Sequence, residues 1–188
     1  MAFLSGGQED WNTITEADVN IMIELWPSMQ FFLDDANEPK YRRIVRAIKY
    51  NEFAYAIPFP ELSHPIIHAA LESMICVGRR HNKAQINQRL PQLVAFVTPQ
   101  QAEDIYRTCC GFKHEAQAMI QHKPVSTGMF KPSDQRRVDA VKLLRRAIRD
   151  LLIRAFRDRS FADVLSNPQL LRHTYPVFDR KGQLISEG

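Results

Sequence analysis

Glycine is scarce in this chain: seven occur among 188 residues, and none falls in a glycine-rich phosphate loop. That scarcity counts against an ordinary nucleotide-binding enzyme. Cysteine is rarer still, with three residues, two of them adjacent as Cys109 and Cys110. An odd number without framework spacing is no disulfide scaffold, and a reducing compartment is the expectation. No apolar run approaches the ~18 residues of a membrane span, so no membrane partner is expected. The N-terminal residues lack the basic start and apolar stretch of a secretory signal. Strand-like alternation is missing almost everywhere, which leaves an all-α reading.

What the sequence has is charge, unevenly spread. The formal net charge is +4. Residues 1–40 carry eight acids and one base, Lys40, for a net of −7. Residues 41–188 carry 24 bases and 13 acids, for a net of +11. An acidic end on a basic body suggests either a polyanionic partner or a self-complementary surface. Apolar residues make up 45%, enough for a core and too many for a disordered chain.

The punctuation divides the chain into a flexible arm (1–14), a helical bundle domain (15–165) and a polar C-terminal tail (166–188). Thr15 reads as the N-cap of a helix that Pro27 should kink or end, with Ser28–Leu33 as its resumption. Pro39 opens a second helix, roughly Lys40–Asn51, with Arg42, Arg43, Arg46 and Lys49 on its basic side. The prolines of Ile57-Pro58-Phe59-Pro60 exclude helix there, and Ser63 is expected to cap one starting near Pro65 and running to Val77. Residues 84–97 fit a short helix broken by Pro91. Thr98-Pro99-Gln100-Gln101 combines a cap, a first-position proline and a Gln three after the cap, and predicts a helix to about Cys109. Gly111 should separate it from Phe112–His122. Ser133 caps the longest helix, about Asp134–Arg157, and one short apolar element (Phe161, Val164, Leu165) follows. The architecture expected is all-α, a four-helix-bundle-like core with additional helices.

That longest helix is the most informative segment. Val141, Leu144, Ala147, Ile148, Leu151, Leu152 and Ala155 share one arc, while Lys142, Arg145, Arg146, Arg149 and Arg157 gather opposite. Arg136 and Arg137 stand at the first turn, where the helix dipole favours acids, and so invite an anionic partner. Over 136–159 there are eight Arg to one Lys, and guanidinium forks suit phosphate. The plainer reading is a solvated amphipathic face, partly offset by Asp139 and Asp150. A second cluster, Arg79, Arg80, His81 and Lys83, sits near a helix end. With few aromatics between the clusters, neutralisation of a phosphate backbone fits better than base stacking.

His64, His68 and Glu72 follow at four-residue intervals, a spacing that can hold Zn²⁺. His64 is expected to precede its helix, and no metalloprotease glutamate follows it. No nucleophile elbow or catalytic carboxylate pair stands out. The expectation is a non-enzymatic protein with no cofactor. A metal-dependent hydrolase using His64 and His68 ranks last.

Arg136-Arg137-Val138-Asp139-Ala140, continuing through Arg145, Ala147-Ile148, Leu151 and Arg154, resembles the last long helix of tobacco-mosaic-type rod-shaped plant virus coat proteins. Arg159-Ser160-Phe161 looks like the Phe-containing element that follows it in that family. Phe59-Pro60 with His64-Pro65-Ile66-Ile67 resembles the family's Phe-Pro turn and third bundle helix. The likeness covers about a third of the chain. It implies a bundle whose subunits stack helically around single-stranded RNA, in a virion and in the host cytoplasm. It would make Arg79 and Arg80 phosphate ligands, with Arg136, Arg137 and Asp139 at the inner end of the last helix. Arg145, Arg146 and Arg149 extend the candidate RNA surface, and the aspartate would tune assembly by charge repulsion. Two departures stand out: residues 81–132 hold an additional helical element, and Leu170-Leu171 occupies the place of a family tryptophan. The rival class is a helical adaptor or regulator that binds a protein partner through its amphipathic faces.

Overall fold

The computed structural model describes residues 16–57, 60–78, 80–120 and 135–185. Eight helices are present among them: α1 (Glu16–Leu33), α2 (Glu38–Ala56), α3 (Pro60–Ile75), α4 (Asn82–Leu93), α5 (Pro99–Ile120), α6 (Gln135–Arg157), α7 (Arg159–Ser166) and α8 (Pro168–Thr174). The fold is all-α. An isolated antiparallel bridge between Phe178 and Leu184 is the extended pairing among the described residues. The arm at 1–14, the Ser133 cap and Arg79 lie outside the described residues. No helix among the described residues is long and apolar enough to cross a membrane.

The core is bundle-like and centres on α3, which packs against α2, α4, α5, α6 and α7. Ile67, Ala70, Leu71, Met74 and Ile75 of α3 are fully buried, so this helix is apolar on most of its circumference. From α6, the buried set is Ala140, Leu144, Ala147, Ile148, Leu151, Leu152 and Ala155. This is the arc read from sequence with Ala140 in place of half-buried Val141.

Several helices run past the breaks expected for them. Pro27, Pro65 and Pro91 all lie inside helices. Pro91 sits in the last turn of a twelve-residue helix, and packing of Ile86, Leu90 and Leu93 outweighs the one hydrogen bond its ring removes. Helix α3 begins at Pro60 and not at Pro65, because a proline fits the first helical turn, where no partner for its nitrogen is needed. His64 therefore lies inside the helix, not before it.

Gly111 likewise does not divide α5. A Cβ added there would come 2.9 Å from the Nη2 atom of Arg137, the movable end of a long side chain. Gly111→Ala should therefore raise stability by up to about 1 kcal/mol while displacing that guanidinium. Thermal unfolding of the variant checks this, and a fall in Tm would show that Arg137 cannot give way.

The end of α3 explains Arg43, which the sequence placed on the basic side of its helix, and Arg89, which it did not single out. The last carbonyls of a helix need donors from outside it. Arg43 of α2 donates to the carbonyls of Ser73 at 3.0 Å, Met74 at 2.9 Å and Cys76 at 2.8 Å. Arg89 of α4, fully buried, donates from Nη1 to the Ile75 carbonyl at 3.0 Å.

The C-terminal segment is docked. Asp158 caps α7 by accepting from the backbone N–H groups of Ser160 and Phe161, and Asn167 caps α8 in the same way. Leu171 and Val177 are buried. Arg89 Nε donates to the Tyr175 carbonyl at 2.8 Å, and Gln88 exchanges hydrogen bonds with both backbone groups of Phe178. Arg159 stacks over Phe31, with 3.6 Å from its guanidinium carbon to the ring centroid, and over Phe32 at 4.5 Å. That cation–π contact joins α7 to α1.

Candidate nucleic-acid interface

Helix α5 opens as its sequence predicts. The Gln101 N–H donates to Thr98 Oγ1 at 3.2 Å, and the Thr98 N–H donates to Gln101 Oε1 at 2.9 Å. This reciprocal capping box fixes the first turn of α5. It also aims Gln101 and Asp104 at α6, which packs alongside. Between them lies an open groove of about 480 Å³, lined by Gln101, Asp104, Arg136, Asp139, Ala140, Lys142, Leu143 and Arg146.

The groove gathers Arg136, Asp139 and Arg146 from the predicted set. Steps of three and four along α6 bring these side chains to one face, with exposed Arg149 one turn further. Three bases face two acids in the lining, so the local excess of positive charge is small. The Asp139 carboxylate is engaged by Gln135, whose Nε2 donates to it at 2.8 Å. On the opposite wall Gln100 donates to Asp104 at 3.2 Å. Arg146 lies over the Phe96 ring at 4.2 Å, which holds the guanidinium flat against the groove's end.

Two predicted residues point elsewhere. Arg137 is half-buried, with its guanidinium 5.4 Å from the Phe112 ring centroid. Arg145 stacks on Tyr55 of α2 at 5.0 Å. At about 100° per residue Arg145 leaves α6 a little over a quarter-turn from Arg146, and Arg137 about half a turn from it. Sequence reasoning included them because it counted arginines without dividing the polar arc. It missed Lys142, Asp104 and Gln101 as lining residues, although Lys142 lies three residues from Asp139 and four from Arg146.

Arg80 belongs to a separate place, the link between α3 and α4. Gly78 and His81 adopt left-handed backbone there, with φ of 72° and 61°. The buried Gln85 side chain shapes this link. Its Oε1 accepts from the Val77 N–H at 2.6 Å, and its Nε2 donates to the carbonyls of Val77 at 3.0 Å and Arg80 at 2.8 Å. Arg89 Nη1 in turn donates to Gln85 Oε1 at 2.6 Å. The Arg80 side chain is left exposed at the rim of this support. Its neighbour Lys83 is engaged with Glu103 at 3.1 Å. The hydrogen bond from Lys83, with Arg107 nearby, holds the Glu103 carboxyl below the usual range.

The histidines form a buried group under α5. His68 is fully buried and its ring nitrogens have no hydrogen-bond partner. Its Nδ1 lies 3.5 Å from Glu72 Oε1 without the angle of a hydrogen bond. Lys113 approaches the same carboxylate at 3.6 Å, and Asn82 donates to it at 3.0 Å. His64 stacks on Phe112 with ring centroids 4.4 Å apart. Among the described residues no three His, Cys, Asp or Glu side chains are placed to hold a metal ion.

The chain matches no protein family, no curated protein and no solved structure.

Proposed function

We propose that this chain is a non-enzymatic viral coat protein that polymerises helically and packages single-stranded RNA through arginine–phosphate contacts, in the virion and the host cytoplasm. The observation that carries the reading is the open α5–α6 groove with Arg136, Lys142 and Arg146 on its wall and Arg149 beside it. Its width and its mixture of charges suit a backbone of phosphates and sugars more than a single deep-seated ligand. Asp139 and Asp104 would oppose phosphate at close range, so that binding is favourable yet reversible. Arg80 is the second phosphate ligand of the proposal, on the link braced by Gln85.

Electron microscopy of the purified protein with and without RNA is the direct test, and rods or filaments are the expected result. A strictly monomeric species that ignores RNA at low salt would sink the reading. Salt supplies a finer measurement. With about 0.7 counterions released per neutralised phosphate of a single strand, four cations give a log–log slope of about −3. Arg146→Ala should lessen that slope by about 0.7 and weaken binding equally for all RNA sequences.

A helical adaptor that binds a protein partner is the second reading. It is favoured by the apolar side chains exposed along α1, Met22, Ile23 and Trp26 among them. Such binding would change little with salt, which separates the two.

A further inference from the structure

Helix α1 leaves an apolar face uncovered. Val19, Met22, Ile23 and Trp26 follow one another at i, i+3, i+4 and i+7, and they are 42%, 63%, 67% and 53% exposed. Within the chain α1 packs on α2 and α6 through its other side, where Phe32 is buried. A contiguous apolar stripe of this kind, of a few hundred Å², marks an interaction surface more often than a solvent face.

Charge narrows the occupant. Residues 16–37 hold five acids, Glu16, Asp18, Glu24, Asp34 and Asp35, and no base. Glu24 is already paired with Arg157 at 2.9 Å, but pairing α1 with α1 of another copy about a two-fold axis would still bring Glu16 towards Asp34 and Asp35, which is unfavourable. The outer face of α2 has the complementary character. Arg42 and Arg46 are exposed there, with Lys49 paired to Glu38 at 3.1 Å, together with Phe53 at 57% and Tyr50 at 39%. These five positions fall within one face of the helix, so cations and aromatic rings are interleaved along it.

We propose that the apolar face of α1 docks on the basic, aromatic outer face of α2 of a second copy of this chain. Trp26 and Ile23 supply the buried anchors, Phe53 and Tyr50 receive them, and acids at the ends of α1 meet the cations of α2. Because the two surfaces differ, the contact is head-to-tail: each copy keeps one α1 face and one α2 face free for further copies. Contacts of that kind close into rings or continue as a helical filament. The inference rests on the polymerising half of the proposed function and is independent of RNA.

The test uses the full chain in sedimentation velocity over a range of concentrations without RNA. RNA binding is read separately by fluorescence anisotropy at low salt. Ile23→Asp damages the α1 face and Phe53→Asp the α2 face; both positions are exposed, so circular dichroism and urea midpoints should match wild type. Each variant alone should self-associate roughly thirty-fold more weakly, the effect of losing one central anchor. Mixed together, they should form one-to-one heterodimers that grow no further, since each retains the face the other has lost. Variants that assemble like wild type overturn the contact. So does a mixture without heterodimers, which would mean that α1 pairs with itself. Assembly that appears only after deletion of residues 1–15 also overturns it, because those residues would then cover the stripe. Wild-type protein that binds RNA but stays monomeric removes the contact and leaves the RNA reading standing. Protein that assembles through these faces yet ignores RNA does the reverse.

Discussion

Taking the protein from pH 7 to pH 4 should remove on the order of 5 kcal/mol of folding stability through two buried histidines. Burial pushes the His64 imidazole down to about 4, with Arg145 acting in the same direction. Burial also pushes His68 down to about 4, against the pull of Glu72 and with the help of Lys113. Tyr106 of α5 faces the His68 ring at 6.0 Å and Phe112 faces His64, so neither aromatic neighbour supplies a counter-charge. Both folded-state values lie below the ordinary histidine value of about 6.5, so the unfolded chain takes up protons first as pH falls. The stability is complete above about pH 6.5 and is lost progressively towards pH 4; below that, both states are protonated and the loss stops growing. Each histidine is worth about 3 kcal/mol at the acid end of that window. Urea unfolding at a series of pH values reads the slope directly. His68→Leu should halve it, and the pair His64→Leu and His68→Leu should flatten it between pH 6.5 and 4.5. A double variant with the wild-type slope would show that other groups carry the acid sensitivity.

Arg89→Ala should cost about 4 kcal/mol, the largest effect expected of any single substitution here. The guanidinium ties three acceptors together: the carbonyls of Ile75 and Tyr175 and the amide oxygen of Gln85. Removing it leaves the Ile75 and Tyr175 carbonyls without this donor, at about 1–3 kcal/mol each where water cannot enter, leaves Gln85 Oε1 with the Val77 N–H alone, and opens a cavity besides. Arg89→Met fills much of that volume but restores no donor, so it should recover only the smaller share of the loss. Chemical denaturation of the two variants separates packing from hydrogen bonding. Limited proteolysis supplies the local readout, with faster cleavage expected within residues 172–185 of either variant. If Arg89→Met matches wild type in both, the hydrogen bonds of Arg89 contribute little to stability.

The parts of the fold legible in the sequence were those set by periodicity and by capping chemistry. Helix α6 announces itself because its apolar residues recur every three or four positions and its other side is almost wholly charged. The start of α5 was legible because Thr98, Pro99 and Gln101 each answer a local need of a helix N-terminus. Breaks were read less well. Pro91 and Gly111 carry local penalties of about 1–3 kcal/mol, and burial of α4 and α5 against α3 exceeds them, while α1 runs through Pro27 with its far end packed on α2 and α6. The candidate site shows the same division. Counting arginines located α6, but the side on which each one leaves the helix decided its use. Arg136 and Arg149 face outward and Arg146 lies over Phe96 beside the groove, while Arg137 and Arg145 turn away from it to Phe112 and Tyr55. Arg43 and Arg89 went unread for a related reason: a charge in a sequence looks like surface until the carbonyls that need it are in place. Those carbonyls belong to α3, thirty residues away from Arg43 along the chain.

The contact between Arg89 and the Tyr175 carbonyl spans 86 residues, and this separation bears on the order in which the protein is made. A nascent chain that ends before Tyr175 has every residue of the bundle helices α1 to α6 in hand. It still lacks the acceptor for Arg89 Nε, the Phe178 partner of Gln88 and the apolar cover from Val177. The half-finished bundle therefore carries a charged group with one unmet need at its centre until Tyr175, just past α8, has been added. The native packing of Arg89 waits for the segment that follows α8. In the proposed assembly, that delay would keep chains lacking this segment from joining those that have it.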